Sequence, residues 1–344
     1  MKVTFLGTAA GQPSLKRNVT SIAIEMDNSK IILVDCGEAT LHQFMRSKLK
    51  FSNINTILIT HLHGDHIYGL PGLCCTLNDS RTEKLNIYGP RGIKKYCEIF
   101  QKSIHNFEFN VYEIGGEYSK IVKISSNTHI YTIDACFIKH STECYAYSIQ
   151  KMRIKPKINM ELLQPIFTQF KNEINQLGFK NPNVIIKHLI SDGVFNIPLS
   201  NLDETASESK FKTLHLDEFT LSDKEFKIVV ALDNNSCENI FKYFNNSDVL
   251  IHESTFAILP EMCTEERSRI TSIATSRGHS TNLMAAQNAF KLGCSNIILT
   301  HFSNRYEINE EGKMVDEKKI TDTCYETEFT GSVFPAYDFS EFSF

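Results

Sequence analysis

Eight short apolar runs, each bounded by Gly, Asn, Asp or Ser, set the terms on which this chain can fold: "VTFLG" (3–7), "TSIAIEM" (20–26), "KIILVDCG" (30–37), "NTILITH" (55–61), "LNIYGP" (85–90), "KIVVALD" (227–233), "DVLIHES" (248–254) and "NIILTH" (296–301). Runs this short and this apolar read as strand candidates. Segments with helical spacing lie between them at 38–48, 91–105, 236–244 and 280–292, the last opening on Ser280 or Thr281 as N-cap and stopping at Gly293. Strands and helices alternate in the first and last thirds, which predicts an α/β protein whose helices cover the sheet faces. The middle differs: a basic start, "KMRIKPK", leads into the amphipathic "MELLQPIFTQFKNEINQLGF" and the polar "NLDETASESKFK". We expect one domain over 1–344, with an inserted arm at 151–224.

A chain of 344 residues with 42% hydrophobic content can bury a full core. The N-terminal "MKVTFLGTAAGQPS" lacks the continuous apolar stretch of a signal peptide, and no run is long enough to span a bilayer. The expectation is a protein without membrane association, cytoplasmic or otherwise intracellular. Ten scattered cysteines with no CxxC pair read as reduced, mostly buried thiols. A formal net charge of -4 argues against coating nucleic acid by bulk attraction, so any nucleic-acid partner must be gripped by part of the surface.

The fourth run leads into "THLHGDH" (60–66). His61 and His63, two residues apart, leave the same side of an extended segment and can share one metal. Gly64 is expected to allow a tight turn that turns Asp65 and His66 toward a second position. Four adjacent ligands strain a single tetrahedral ion, whereas two ions about 3.5–4 Å apart can divide them. His140, Asp233 and His301 stand at the ends of other strand candidates, where α/β sheets gather functional groups. An all nitrogen and oxygen donor set suits zinc first, then manganese or iron, and Asp233 is the carboxylate able to bridge.

The His-x-His-x-Asp-His signature resembles that of the metallo-β-lactamase superfamily, whose fold is an αββα sandwich. "GTAAGQPSLKRN" (7–18), "DCGEATLHQ" (35–43), "THLHGDHIYGLPGL" (60–73), "HESTF" (252–256), "GHST" (278–281) and "THFSNRY" (300–306) are similar, in order, to the successive motifs of the ribonuclease Z family of tRNA 3′-end endonucleases. The resemblance implies two Zn2+ per subunit, or Mn2+ in their place. His61, His63 and His140 would hold one ion, Asp65, His66 and His301 the other, and Asp233 would bridge them. It implies precursor tRNA as substrate, cut after the discriminator nucleotide to leave a 3′-hydroxyl, and a homodimer. A related phosphodiesterase acting on small or other diesters is the alternative on the same metal chemistry.

The same resemblance assigns catalytic roles to Asp65, His279 and Glu253, with His279 giving a proton or holding phosphate and Glu253 orienting it. Read without it, His279 is as well explained by a place at a helix start and Glu253 by an ion pair. Asp35 would hold a ligand histidine by its far nitrogen, or else simply make a turn. Ser303 and Arg305 would grip phosphate near the metals, and Arg17 with Asn18 the tRNA end.

Overall fold

In the computed structural model all residues are described except 79–83, 105–108, 127, 155, 180, 200–210, 222–224 and 307–316. Lys155 of the basic start, His105 and most of the polar stretch of the arm therefore lie outside the described residues. All eight apolar runs form strands. From edge to edge, the first seven-stranded sheet runs Glu341–Ser343, Lys2–Gly7, Ser21–Glu25, Ile31–Val34, Ile54–Leu58, Leu85–Gly89, Phe109–Glu113. The second runs Ser332–Pro335, Asn296–Thr300, Val249–Glu253, Phe226–Ala231, Glu143–Arg153, His129–Lys139, Tyr118–Ser125.

The layering follows from period two along each strand. Ile22 and Ile24, Ile32 and Val34, Ile228 and Val230, Val249 and Ile251 point into one buried cluster shared by the two sheets. Their neighbours point the other way. Ala23, Ile31 and Leu33 join the helices Thr40–Arg46, Leu70–Asn78 and Ile93–Gln101 in a second cluster. Val229, Ala231 and Leu250 meet the helices Glu238–Tyr243, Asn282–Leu292 and Glu317–Cys324 in a third. The order is helix, sheet, sheet, helix, the αββα sandwich expected. All ten cysteines are free thiols; eight are buried, as expected for most of them, and Cys75 and Cys263 are exposed.

The chain divides into two compact units, residues 1–127, 131–151 and 226–344 in one, 128–130 and 152–225 in the other. The smaller unit has its own core of Leu163, Phe167, Ile174, Ile185, Leu189, Ile197 and Leu214. Helices Met160–Gln169, Lys171–Gln176 and Pro182–Asp192 and a hairpin of Val194–Pro198 with Phe211–His215 supply it. The first helix runs through Pro165 and breaks at Phe170 instead.

The larger unit's strand ends converge on one rim. Strands Ile31–Val34 and Ile54–Leu58 are parallel, as are Phe226–Ala231, Val249–Glu253 and Asn296–Thr300, so Asp35, His61, Asp233, Glu253 and His301 follow or close parallel strands. Bonds between the sheets fix the register there. The Tyr147 hydroxyl donates to the Ile59 carbonyl at 2.6 Å, and the Tyr145 amide donates to the Thr60 carbonyl at 3.0 Å. The N-terminal loop is laced to the opposite sheet, Ala10 N–H donating to Phe302 O and Phe302 N–H to Thr8 O. We expect Phe5→Ala, in the cluster between the sheets, to cost about 3–5 kcal/mol in chemical denaturation. Leu15→Ala, at a side chain fully exposed on that loop, should change stability by less than about 0.5 kcal/mol.

Candidate metal centre

Three residues at this rim have left-handed backbones although they are not glycine: Asp35 (φ 58°), His301 (φ 56°) and Asp233 (φ 20°). Such conformations cost about 1 kcal/mol or more each and persist where surrounding bonds over-determine them. They turn side chains from successive strand ends toward a common point.

Two sets of donor atoms with no residue in common result, each closely packed, and a third, Asp233 with His279 and His301, overlaps them. His61 Nε2, His63 Nδ1 and His140 Nε2 lie together, with His61 Nε2 3.0 Å and His140 Nε2 3.3 Å from His63 Nδ1. Asp233 Oδ2 faces this set, 3.6 Å from His61 Nε2 and 3.8 Å from His140 Nε2. Asp65 Oδ2, His66 Nε2 and His301 Nε2 form the second set, both imidazole nitrogens standing 3.4 Å from the carboxylate. Asp233 Oδ1 faces that one, 3.5 Å from His66 Nε2 and 3.2 Å from His301 Nε2. All seven ligand candidates are thus gathered at one place, and Asp233 stands between the sets with one oxygen toward each.

The far sides of the imidazoles are held. His66 Nδ1 is 2.6 Å from Asp35 Oδ2, and His140 Nδ1 donates to the Gly278 carbonyl at 2.7 Å. His61 Nδ1 meets Thr60 Oγ1 at 3.0 Å and His301 Nδ1 meets Thr255 Oγ1 at 2.8 Å. Asp65 Oδ2 accepts from the Gly11 amide at 2.9 Å. Sequence reasoning missed Thr60, Thr255 and the Gly278 carbonyl, because an ordinary threonine or a peptide oxygen carries no local signature. It also gave Gly64 the wrong reason: Gly64 opens a short helix, Gly64–Ile67, without a positive φ, and a Cβ there would stand 2.3 Å from the Tyr68 ring. Gly278, by contrast, has φ 82° and no room, since a Cβ would meet His140 Nδ1 at 2.8 Å.

Buried atoms here lack ordinary partners. His66 Nε2 and Asp233 Oδ1 are buried and make no hydrogen bond among the described residues, in a protein interior where such groups are almost always satisfied. Converging nitrogen and carboxylate oxygens with unsatisfied lone pairs fit a divalent cation, and together with the αββα fold they make this a divalent-metal centre. Burial lowers the His61 and His63 imidazoles below their ordinary value, aided by the neighbouring histidines. Burial would lower His66 too, but Asp233, Asp35 and Asp65 outweigh it and hold His66 well above the ordinary histidine value. Asp65 and Asp233, against the opposing effect of burial, are held far below the usual carboxylate range by the surrounding histidines.

A cleft of about 250 Å3 opens over the two sets, lined among others by Gly11, His63, Asp65, Phe256, Arg277, His279, Ser303 and Arg305. His279 Nδ1 lies 3.2 Å from Glu253 Oε2 and 3.9 Å from Asp233 Oδ2. Burial lowers the His279 imidazole, but the bond to Glu253 and the charges of Glu253, Asp233 and Asp65 raise it overall to about 9. Arg305 stacks 4.6 Å over Phe256 and donates from Nε to Ser303 Oγ at 2.9 Å. Arg277, in none of the motifs, is exposed on the cleft wall. Arg17 is buried instead, donating to Thr8 Oγ1 at 2.6 Å and Ala336 O at 2.7 Å, paired with Glu317 and lying over the Phe302 ring. Asn18 Nδ2 donates to the Glu38 carbonyl at 2.8 Å. Of the unassigned histidines, His42, His188 and His215 are exposed, and His252 is a satisfied core residue between Glu253 O and the amides of Asn234 and Asn288.

Because Asp233, Asp35 and Asp65 raise the proton affinity of His66, a proton competes with a cation for its Nε2. Titration calorimetry in buffers of different ionisation enthalpy should therefore report release of about one proton or more per chain on binding, with affinity that rises with pH. Binding without proton release would contradict the charge arrangement described.

Comparison with known proteins places this geometry. The family model described as "Anti-Pycsar protein Apyc1" matches residues 1–149. The chain superposes on human tRNase Z, short form, with a TM-score of 0.61 at 22% identity, covering 100% of this chain and 99% of that one. It also superposes on the metallo-β-lactamase fold protein YhfI from Bacillus subtilis, TM-score 0.60 at 17% identity over 99% of this chain. In sequence it is 34% identical over 319 residues to ribonuclease Z of Prochlorococcus marinus (strain MIT 9301), covering 89% of each chain. Identity at that level along most of both chains establishes that the protein belongs to the ribonuclease Z family.

Proposed function

We propose that this protein is a metal-dependent endoribonuclease that removes the 3′ trailer of precursor tRNA, hydrolysing the phosphodiester after the discriminator nucleotide and leaving a 3′-hydroxyl. The observation that carries the reading is Asp233, buried between two sets of donors with Oδ2 toward one and Oδ1 toward the other. His61, His63, His140 and Asp233 would hold one cation, and Asp65, His66, His301 and Asp233 a second. Zinc suits this donor set, with manganese as the substitute. Bound by these residues, cations would supply electrophilic polarisation of the phosphodiester and acidification of water.

The remaining work belongs to the chain's own groups. His279, with Nδ1 held by Glu253 and a raised proton affinity, is an imidazolium at neutral pH on the cleft wall. Its Nε2 proton is the one available to the departing ribose oxygen. Arg305, braced on Phe256 and Ser303, and Arg277 across the same cleft offer fixed cationic contacts for phosphates flanking the cut. Arg17 and Asn18 act by holding the N-terminal loop, whose Gly11 amide bonds Asp65. We read the unit at 152–225 as the inserted arm that meets the body of the tRNA, with Arg153 and Lys157 at its start supplying charge. Family kinship also supports a homodimer within the cell; no helix among the described residues is long and apolar enough to cross a membrane.

The test is cleavage of a 3′-extended precursor tRNA by metal-loaded protein, beside His63→Ala and a small chromogenic phosphodiester. A single metal-dependent cut after the discriminator, lost in the variant, is expected. Hydrolysis of the small diester alone would leave the metal centre and remove the tRNA assignment. His279→Ala should lower kcat on precursor tRNA by about 10²–10⁴-fold with little change in bound metal. Arg277→Ala should weaken precursor binding and reduce the slope of log affinity against log salt by about 0.7 to 1, the loss of one phosphate contact.

A further inference from the structure

Two buried carboxylates stand behind the donor sets in matching arrangements. Asp35 is fully buried; its Oδ1 accepts from the Thr60 amide at 2.7 Å, and its Oδ2 lies 2.7 Å from Thr60 Oγ1 and 2.6 Å from His66 Nδ1. Glu253 is fully buried as well; its Oε1 accepts from the Asn234 amide at 2.5 Å, and its Oε2 lies 2.5 Å from Thr255 Oγ1 and 3.2 Å from His279 Nδ1. A threonine hydroxyl has one proton. In each case it points at a carboxylate oxygen, which can only accept, so toward the neighbouring histidine the hydroxyl can only accept. The proton between Thr255 Oγ1 and His301, 2.8 Å apart, therefore sits on His301 Nδ1, and that between Thr60 Oγ1 and His61, 3.0 Å apart, on His61 Nδ1. Each imidazole is thereby fixed in the tautomer whose Nε2 lone pair faces the donor set.

From this we infer that Thr255 and Thr60 are positioning residues that lock the tautomers of His301 and His61, so that each buried carboxylate organises two histidines, one directly and one through a threonine hydroxyl. The inference rests on the metal-centre reading above and deepens it. It has a consequence peculiar to the second half: Glu253 holds the proton-handling His279 and, through Thr255, the candidate ligand His301. The metal set and the proton donor share one anchor. The first half differs, because both histidines behind Asp35 are ligand candidates.

The roles predict a pattern that separates hydroxyl chemistry from packing. Thr255→Val keeps the shape and removes the hydroxyl, and Thr255→Ser keeps the hydroxyl and removes the methyl. Metal-free protein of each form is titrated with Zn2+ or Co2+, binding being followed by calorimetry and by the cobalt absorption spectrum, with a thermal melt of the metal-free form as the fold control. We expect Thr255→Val to weaken binding of one of the cations by about 10–100-fold, the range for groups that orient metal ligands, and Thr255→Ser to restore it to near the wild-type level. Equal weakening in the Val and Ser forms would show that the methyl, not the hydroxyl, matters and would overturn the inference. Wild-type affinity in Thr255→Val with an unchanged melt would overturn it too. Failure of every form, wild type included, to take up metal would instead sink the metal-centre reading on which it rests. Should Thr255→Val not fold, Thr60→Val and Thr60→Ser make the same comparison at His61.

Discussion

A carboxylate buried among imidazoles is the constraint on which this molecule is arranged. Asp233 is almost wholly removed from water, and an isolated ionised carboxylate in that position would be too costly to keep. It stays ionised because His301, His66 and His61 surround it, and those histidines keep their geometry because each is held from behind. Removing any one anchor leaves a buried charge with a misdirected partner, a larger loss than the bond itself. The polar centre is thus a tightly held network, and divalent cations bound there would satisfy the buried atoms it leaves unpaired, His66 Nε2 and Asp233 Oδ1.

The sandwich is what makes such a network affordable. Neither sheet alone supplies the set: Asp35, His61, His63, Asp65 and His66 follow strands of the first sheet, His140, Asp233, Glu253 and His301 strands of the second. Mostly apolar strands packed between helices hold the two rims in fixed register, and the Tyr147 and Tyr145 bonds cross to the chain just before His61. Strained backbone at Asp35, Asp233 and His301 is tolerated there because core packing below and hydrogen bonds above both oppose relaxation.

Much of this was legible in the sequence. Apolar runs of strand length alternating with helical patterns gave the α/β class, and "THLHGDH" indicated metal ligation because two-residue spacing and adjacency are local properties. His140, Asp233 and His301 could be picked out as strand-end residues. What escaped were groups whose contact is a single bond created by the tertiary fold: the hydroxyls of Thr60 and Thr255 and the carbonyl of Gly278. Nothing distinguishes those threonines from others in the chain until their carboxylate partners are brought within 2.7 Å. Arg17 shows the converse. Its motif suggested contact with substrate, yet its donors are engaged inside the protein by Thr8, Ala336 and Glu317, an arrangement that depends on chain segments some 300 residues away.

The most direct measurement is a crystal structure of zinc-loaded protein with anomalous data collected at the zinc edge. The account predicts two peaks flanking the Asp233 carboxylate, one near Oδ2 with His61, His63 and His140, the other near Oδ1 with Asp65, His66 and His301. A single peak, or two that do not share Asp233, would contradict it.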